Sequence, residues 1–473
     1  MISSLELEYL PGVTIMTPFG IIFFMQYTYF ADLGSWFFIS FIISLFLGTI
    51  ASSVLYWLNS DKPNLKAKVG RLHSLGETAR KVLPYGKIRK ALRYKRTVDG
   101  FSDLVDTVDS SVTLLALLFG VLPFLVALFH AILPSVGMVW CFIAATAVMS
   151  MATTLLGAPV EYYEDFVIEQ KYGFNTMTLK TFVADKLKSL PIGIAMSAAL
   201  YLVLDWALRH LLGDGGVTAA GFVLFLVGAA MFKKVLQWTA LNVVMPLFNE
   251  FKPLDDGPLK SKLESMCRRC GVKIARIEVM DASKRSKHSN AFICGSFGKK
   301  RIVLFDTLLK NFTDDEIVSV VAHEIGHGKL HHLPLKDLED MLLTTAYAFL
   351  SFALVANPGF YHAFGYSWVD QGNLVGNYVI GFALASVFLK SFTWVLAPVT
   401  SWISRKMEYA ADRYAVEHTG NVESMKNALL KLTAENLSDV FPHPAYEAVY
   451  YSHPSIINRV EALDGSKERN KDM

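Results

Sequence analysis

Long apolar segments constrain this chain more than any other feature of its sequence. A helix needs about 20 mostly apolar residues to cross a bilayer. Seven segments meet or approach that length: 36–58, 112–133, 136–156, 192–212, 217–245, 341–356 and 375–403. The sequence therefore predicts a mainly α-helical, polytopic membrane protein with about seven transmembrane helices.

Composition agrees with this fold class. Hydrophobic residues make up 53% of the 473 residues and charged residues only 18%, whereas soluble domains carry about 25% charged residues. The net charge of +3 gives no reason to expect a nucleic-acid partner. A further apolar segment, 13–30, is interrupted by Thr17 and Pro18, and it is either an eighth span or a helix at the membrane surface.

The distribution of positive charge predicts the orientation. The segment 59–109 is predicted to be a loop. It contains about a dozen Lys and Arg residues, and such basic loops lie on the cytosolic side of a membrane. With seven spans, the segments 249–340 and 404–473 then also face the cytosol. This organisation gives four regions: 1–248 with five spans, 249–340, 341–403 with two spans, and 404–473.

Two lysines, Lys233 and Lys234, interrupt the fifth span. Charge within a span tends to face an internal cavity, so these side chains are candidates for the lining of one. The alternative is that the span is shorter and both lysines lie at the membrane interface. The sequence leaves both interpretations open.

The polar segment 249–340 has its own pattern. Residues 274–281, 290–295 and 301–306 resemble three short strands separated by polar turns. Thr313 and Glu316 then form a capping box that predicts the start of a helix. Cys267 and Cys270 could suggest half of a zinc site or a redox pair, but no second such pair follows, and unrelated thiols are the better interpretation.

The predicted helix contains the sequence AHEIGH, with His323, Glu324 and His327. Residues four apart project from the same face of a helix, so both imidazoles can bind one Zn²⁺ ion. Glu324 is then placed to act as general base on water at the metal. His331 and His332 are expected further along the same helix. His331 is four residues beyond His327 and could be a third ligand, but histidines at the end of a helix more commonly complement its dipole.

Glu408 is a better candidate for the third zinc ligand. A catalytic zinc takes three protein ligands and keeps one open position, and two histidines with a glutamate are an established set. Asp412 is four residues further on and could hold the free ring nitrogen of a ligating histidine. The alternative is an ordinary amphipathic helix in which these carboxylates pair with Arg405 or Arg413.

A second candidate cluster lies in YSHPSIINRVEAL, near the C-terminus. A peptidase needs a donor for the oxyanion that forms during hydrolysis, and His453 could supply it. Arg459 could anchor a carboxylate. The alternative is that His453 and Pro454 simply begin a surface helix.

These motifs together resemble the type I CAAX prenyl endopeptidases, which are integral-membrane zinc proteases. The resemblance covers most of the chain and rests on the order and spacing of six segments: VEYYEDFVIEQKYGFNTMT, PLFNEFKPLDDGPL, KHSNAFICGSFGKKRIVLFDTLL, AHEIGH, EYAADRYA and YSHPSIINRVEALD. It implies about seven helices around a large intramembrane chamber, with a zincin-like catalytic segment that carries a small β-sheet.

The resemblance also implies a reaction and the residues that perform it. A farnesylated or otherwise prenylated CaaX protein would lose its last three residues at a site with one Zn²⁺ per chain. His323, His327 and Glu408 would bind the metal and Glu324 would be the base. His453 would stabilise the transition state and Arg459 would organise the site. The segment Asn290, Ala291 and Phe292 matches the strand that holds substrate, which agrees with strand addition at an exposed edge.

The resemblance further implies the endoplasmic reticulum membrane, or the inner nuclear membrane, with the site facing the cytosol or nucleoplasm. One alternative is a quality-control membrane protease that cleaves misfolded or translocon-stalled proteins with the same chemistry. Another is a membrane scaffold or lipid-binding protein with a vestigial site. The complete set of ligands and base favours an enzyme.

Overall fold

The computed structural model describes residues 30–213, 216–296 and 299–469. The apolar segment 13–30 lies outside the described residues except for Phe30.

The N-terminal half is helical. Its elements are α1 (Trp36–Ser60), α2 (Leu65–Ser74), α3 (Glu77–Val82), α4 (Tyr85–Leu118), α5 (Val121–Ile132), α6 (Met138–Tyr163), a π-helical turn (Glu164–Glu169), α7 (Gln170–Tyr172), α8 (Leu179–Leu211), the short hairpin β1 (Leu212–Gly213) and β2 (Gly216–Val217), α9 (Ala219–Thr239), a second π-helical turn (Ala240–Val244) and α10 (Met245–Phe248).

The C-terminal half begins with the sheet and ends in helices. Its elements are β3 (Phe251–Pro253), α11 (Pro258–Arg269), β4 (Ile274–Met280), β5 (Ala291–Ser296), β6 (Lys299–Phe305), α12 (Asp306–Asn311), α13 (Asp314–Lys329), α14 (His332–Val355), α15 (Pro358–Ala363), α16 (Leu374–Lys390), α17 (Ala397–Thr419), α18 (Val422–Glu435), α19 (Pro444–Tyr450) and α20 (Ile456–Arg469).

Five helical segments of the described chain are long and apolar enough to cross a membrane alone: Trp36–Ser60, Met138–Tyr172, Leu179–His210, Ala219–Phe248 and His332–Val355. The bent pair α4 and α5 makes a sixth. Six of the seven predicted spans therefore have a membrane-length counterpart, and the chain is a multi-pass membrane protein.

The second and seventh predicted spans are not single straight helices. Between α4 and α5 the chain bends by 49°, at Gly120 in the left-handed conformation with φ 56°, which glycine adopts without strain. The seventh segment divides into α16, of 17 residues, and α17. Pro398 lies at the start of α17, where proline fits a helix.

The small sheet has the strand order β3-β4-β6-β5. Strand β6 pairs parallel with β4 and antiparallel with β5, so β5 is an edge strand. The three strands predicted from the sequence are confirmed within one or two residues at each end. The additional strand β3, which pairs with β4, is only three residues long and was not predicted.

Two large hydrophobic cores organise the described residues. The helix-sheet core contains the buried faces of β6, α11, α13 and α18. It also contains Val69, Leu72, Ala79 and Leu83 from the basic segment, which therefore folds as α2 and α3 rather than as an open loop. The aromatic core lies around α15 and α16, where Phe360, Tyr361, Phe364 and Tyr366 are at most 1% exposed.

Between the two cores the spanning helices are little buried. None of the most apolar window of Leu179–His210 is buried, and only 6% of that of Ala219–Phe248 is. A helix in a compact bundle buries one face against its neighbours. These two helices therefore make few contacts with the rest of the described protein along their most apolar stretches.

Candidate active site

Helix α13 begins at the predicted capping box. The Thr313 side chain accepts from the N–H of Glu316, and the Glu316 carboxylate accepts from the N–H of Thr313. Most of the helix is buried. A Cβ atom on Gly326 would lie 3.1 Å from the Tyr414 ring, so this glycine permits the close approach of α17.

The close packing of α13 and α17 brings three predicted zinc ligands together. The Nε2 atoms of His323 and His327 are 3.1 Å apart. Glu408 places Oε2 3.4 Å from Nε2 of His323 and Oε1 3.3 Å from Nε2 of His327. Tetrahedral ligands bonded to zinc at about 2.0–2.1 Å lie about 3.3 Å from one another. The three side chains therefore fit a single zinc ion.

The electrostatics of the site favour a cation. Burial opposes the charge of Glu408, but hydrogen bonds from His323, His327 and His453 outweigh it and hold the pKa of Glu408 well below its usual value. Burial would lower the pKa of His323, yet Asp412 and Glu408 raise it to about 9. Both pKa shifts have the same cause, because the buried carboxylates are stabilised by positive charge on a neighbouring side chain.

Asp412 lies on the far side of His323 from Glu408. Its Oδ1 atom is 2.9 Å from Nδ1 of His323, in a close but poorly aligned contact. This contact places the carboxylate at Nδ1 and turns Nε2 toward Glu408. Asp412 therefore occupies the position that a carboxylate takes when it fixes the tautomer of a ligating histidine.

Arg459 binds Asp412 with two hydrogen bonds, of 2.8 Å from Nε and 2.6 Å from a terminal nitrogen. The same terminal nitrogen is 3.4 Å from Oε2 of Glu408. Burial would raise the pKa of Asp412, but Arg459 lowers it to about 2. Arg459 therefore acts on the two buried carboxylates and balances their charge.

Glu324 and His453 lie close to the three predicted ligands. Glu324 is partly buried, and burial raises its pKa above the usual value, as suits a general base. The His453 side chain is 64% exposed, with Nδ1 2.7 Å from Oε2 of Glu408. A role for His453 in binding an oxyanion stays a prediction.

His332 is a site residue that the sequence did not indicate. Its Nδ1 atom is 2.9 Å from Nδ1 of His327, so it can accept the ring proton while Nε2 faces the other ligands. The expectation that His331 and His332 continue α13 is wrong, because α13 ends at Lys329 and His331 is left-handed with φ 57°. That conformation is uncommon for a residue other than glycine, and no sequence signal announced it.

Asn290, Ala291 and Phe292 lie at the start of the edge strand β5, which packs against α13. The C=O of Asn290 accepts from the N–H of Phe305 at 3.1 Å, which continues the pairing with β6. The opposite edge of β5 has no partner strand in the described sheet. The binding of a substrate strand at this edge stays a prediction.

Two pairs of residues singled out in the sequence, the two cysteines and the two lysines, lie apart from the predicted metal ligands. Cys267 and Cys270 are free and buried in the helix-sheet core, and burial raises the pKa of Cys267 to about 11. They are structural thiols outside the site. Lys234 forms an ion pair of 2.9 Å with Asp337, and Lys233 pairs with Asp340, so these charges join α9 to the early turns of α14.

The fold and the geometry of the site are those of a membrane-embedded metallopeptidase. Residues 253–467 match peptidase family M48, and residues 67–250 match the family described as CAAX prenyl protease N-terminal, five membrane helices. The chain belongs to the type I CAAX prenyl protease family within peptidase family M48.

Relatives and a solved structure agree with this assignment. CAAX prenyl protease 1 of Saccharomyces cerevisiae is 34% identical, over 81% of this chain and 86% of its own. The CAAX prenyl protease 1 homolog of Arabidopsis thaliana is 32% identical, over 84% of this chain and 92% of its own. The crystal structure of S. mikatae Ste24p has a TM-score of 0.73 at 28% identity and covers 90% of this chain and 98% of that one.

Proposed function

We propose that this protein is a zinc-dependent endopeptidase that removes the three C-terminal residues from prenylated CaaX proteins. The observation that carries the proposal is the convergence of His323, His327 and Glu408 beside the free edge of β5. The names of the relatives, CAAX prenyl proteases, support the choice of substrate.

His323, His327 and Glu408 would hold one Zn²⁺ ion, while Asp412 and His332 orient the two imidazoles. When bound, the zinc would act as a Lewis acid on the scissile carbonyl and lower the pKa of water at the site. The buried carboxylates that favour positive charge at His323 would then help to balance the charge of the bound metal.

Glu324 would take a proton from the attacking water and transfer it to the nitrogen of the departing tripeptide. Its raised pKa suits both steps, because a base that later acts as an acid needs a pKa closer to neutrality. His453 would turn its imidazole toward the developing oxyanion. Arg459 would stay on Asp412 and keep Glu408 in place.

The membrane region suits the other end of the substrate. A prenyl chain gains roughly 0.8 kcal/mol for each CH₂ group that it buries, so it stays in apolar surroundings while the peptide bond needs water. The low burial of α8 and α9 supports a chamber between the helices. The membrane of the endoplasmic reticulum, with the site toward the cytosol or nucleoplasm, is the proposed location.

One assay tests this proposal. Purified protein in detergent should release the terminal tripeptide from a farnesylated CaaX peptide, lose this activity with a zinc chelator, and regain it when zinc is added. The same peptide without the farnesyl group is the matched control and should react more slowly. Equal rates for the two peptides would instead support a quality-control protease, and no cleavage of either would contradict a peptidase.

A further inference from the structure

The free edge of β5 meets an asparagine side chain from a different part of the fold. Ser289, just before Asn290, is 2% exposed. Its N–H donates to Oδ1 of Asn436 at 3.0 Å, and its C=O accepts from Nδ2 of the same side chain at 3.1 Å. One side-chain amide thus pairs with both main-chain groups of one residue, as a residue of a neighbouring antiparallel strand would.

The hydrogen bonds on either side show which edge Asn436 occupies. The C=O of His288 accepts from Oγ1 of Thr307 at 2.9 Å, and the C=O of Asn290 accepts from the N–H of Phe305 at 3.1 Å. His288 and Asn290 therefore face β6 and the chain that follows it. Ser289, between them, faces the opposite way, which is the direction of the free edge.

The main-chain groups of successive residues in β5 continue to alternate between β6 and the free edge. Asn290 and Phe305 form a hydrogen-bonded pair, so Phe292 also faces β6, while Ala291 and Ile293 face the free edge. The Ala291 N–H donates to Oδ1 of Asn290 at 2.8 Å. The C=O of Ala291 and both main-chain groups of Ile293 are left for an added peptide, and the Asn436 amide lies in line with them.

Asn436 is itself firmly held. It follows α18, and its N–H donates to the C=O of Leu432 at 3.0 Å. Its Oδ1 atom also lies 3.3 Å from Nδ1 of His288, whose ring stacks on Phe174 with centroids 4.0 Å apart. The amide is therefore a fixed feature of the edge rather than a mobile surface group.

A cleft connects this feature with the site. It has a volume of about 510 Å³, and its lining includes Ser289, Asn290, Asn436, His453 and Arg459. A peptide that pairs with Ile293 and Ala291 beside the site would meet the Asn436 amide at the next edge position, where Ser289 already has its partner.

We propose that Asn436 is the end stop for the substrate main chain and thereby sets how many residues follow the scissile bond. This inference rests on the proposed function. The part of a protein substrate that precedes the scissile bond continues into the rest of that protein and needs an open path. A closed end of the β5 edge therefore suits only the short part of the substrate that follows the scissile bond and ends in the free C-terminus.

The test compares two farnesylated peptides, with three and with five residues after the prenylcysteine. In the unsubstituted protein, kcat/KM for cleavage after the prenylcysteine should be lower for the longer peptide by about tenfold or more, as for other steric exclusion. Asn436→Ala should reduce this ratio to about threefold or less. The gain should come mainly from the longer peptide, since Ser289 then becomes free to pair with it.

Two further variants keep the test decisive. Asn421→Ala is the matched control, because Asn421 caps the other end of α18, and it should leave the ratio unchanged. Asn436→Asp retains the acceptor for the Ser289 N–H, serves if Asn436→Ala does not fold, and should give an intermediate ratio. Zinc content should be unchanged in all three variants.

The possible failures are distinguishable. No tripeptide release by the unsubstituted protein would contradict the proposed function itself. Release with equal kcat/KM for both peptides, or a ratio that stays the same in folded Asn436→Ala and Asn436→Asp proteins, would overturn the end stop while leaving the proposed function intact.

Discussion

The helix-sheet core and the aromatic core are stabilised in different ways. The first surrounds a buried group of charges, with Glu408, Asp412 and Arg459 in contact. The second, which includes the first turns of α1, is built from rings such as Phe364, which packs against Phe38, Phe41 and Phe360. Apolar packing alone can stabilise a fold, whereas buried charge is costly unless it is paired. The difference indicates that the buried charges in the helix-sheet core serve the chemistry of the site, whereas the aromatic core serves the stability of the fold.

The largest effect should follow the removal of a predicted zinc ligand from the group of charges in the helix-sheet core. Glu408→Gln is expected to lose zinc and to lower kcat/KM by at least about a thousandfold, because the Lewis acid is lost. Metal analysis and the farnesylated-peptide assay measure the two effects. A variant that keeps stoichiometric zinc and full activity would contradict the assignment of Glu408 as a ligand.

Glu324→Gln should separate the catalytic step from metal binding, because it changes the predicted base and leaves the predicted zinc ligands in place. We expect zinc to be retained and kcat to fall by about 10²–10⁴-fold, the usual contribution of general acid–base catalysis. Since burial raises the pKa of Glu324, the unsubstituted enzyme should lose activity as the pH falls through that raised value and the carboxylate becomes protonated. Unchanged activity in the variant would exclude Glu324 as the base.

A substitution in the aromatic core should lower the stability of the protein without changing zinc binding. Phe364→Ala removes a ring that is 1% exposed and is expected to cost about 3–5 kcal/mol of stability. Thermal unfolding in detergent would measure it, with Phe364→Leu as the milder control. The protein that remains folded should bind zinc normally, and a specific loss of zinc affinity would show that the two cores are coupled.

The smallest expected effect is at Asp412. Asp412→Asn keeps the shape of the side chain but removes the charge that faces His323, and zinc affinity should fall about 10–100-fold. Competition with a chelator measures this change. Asp464→Asn, which alters a carboxylate bound by Lys426 in the same core, is the control and should not affect zinc. Equal affinities for the two variants would give Asp412 a purely structural role.

The sequence was most informative where one residue type is required at a fixed spacing. The capping box at Thr313, the pair His323 and His327, and the spacing of Glu408 and Asp412 could all be read locally, and α13 and α17 place them side by side. The strands were visible because apolar residues end at polar turns. These signals depend on neighbours within a turn or two of the chain.

Features that depend on distant contacts were not predictable in the same way. His332 reaches His327 only because His331 takes a left-handed conformation, for which the sequence has no glycine or other signal. The basic segment looked like an open loop, because its apolar residues are few and find their partners in α18 and elsewhere in the helix-sheet core. Asn436 meets Ser289 across 147 positions of the chain, and such a pair has no local pattern.

The central claim is that two histidines and a glutamate hold one zinc ion, and X-ray absorption at the zinc edge tests it most directly. The purified protein should contain one zinc per chain, with only nitrogen and oxygen ligands and the outer-shell scattering of two imidazoles. In Glu408→Ala the zinc should be lost or should change its coordination. Zinc bound through sulfur, or a spectrum that is the same in Glu408→Ala, would contradict the account.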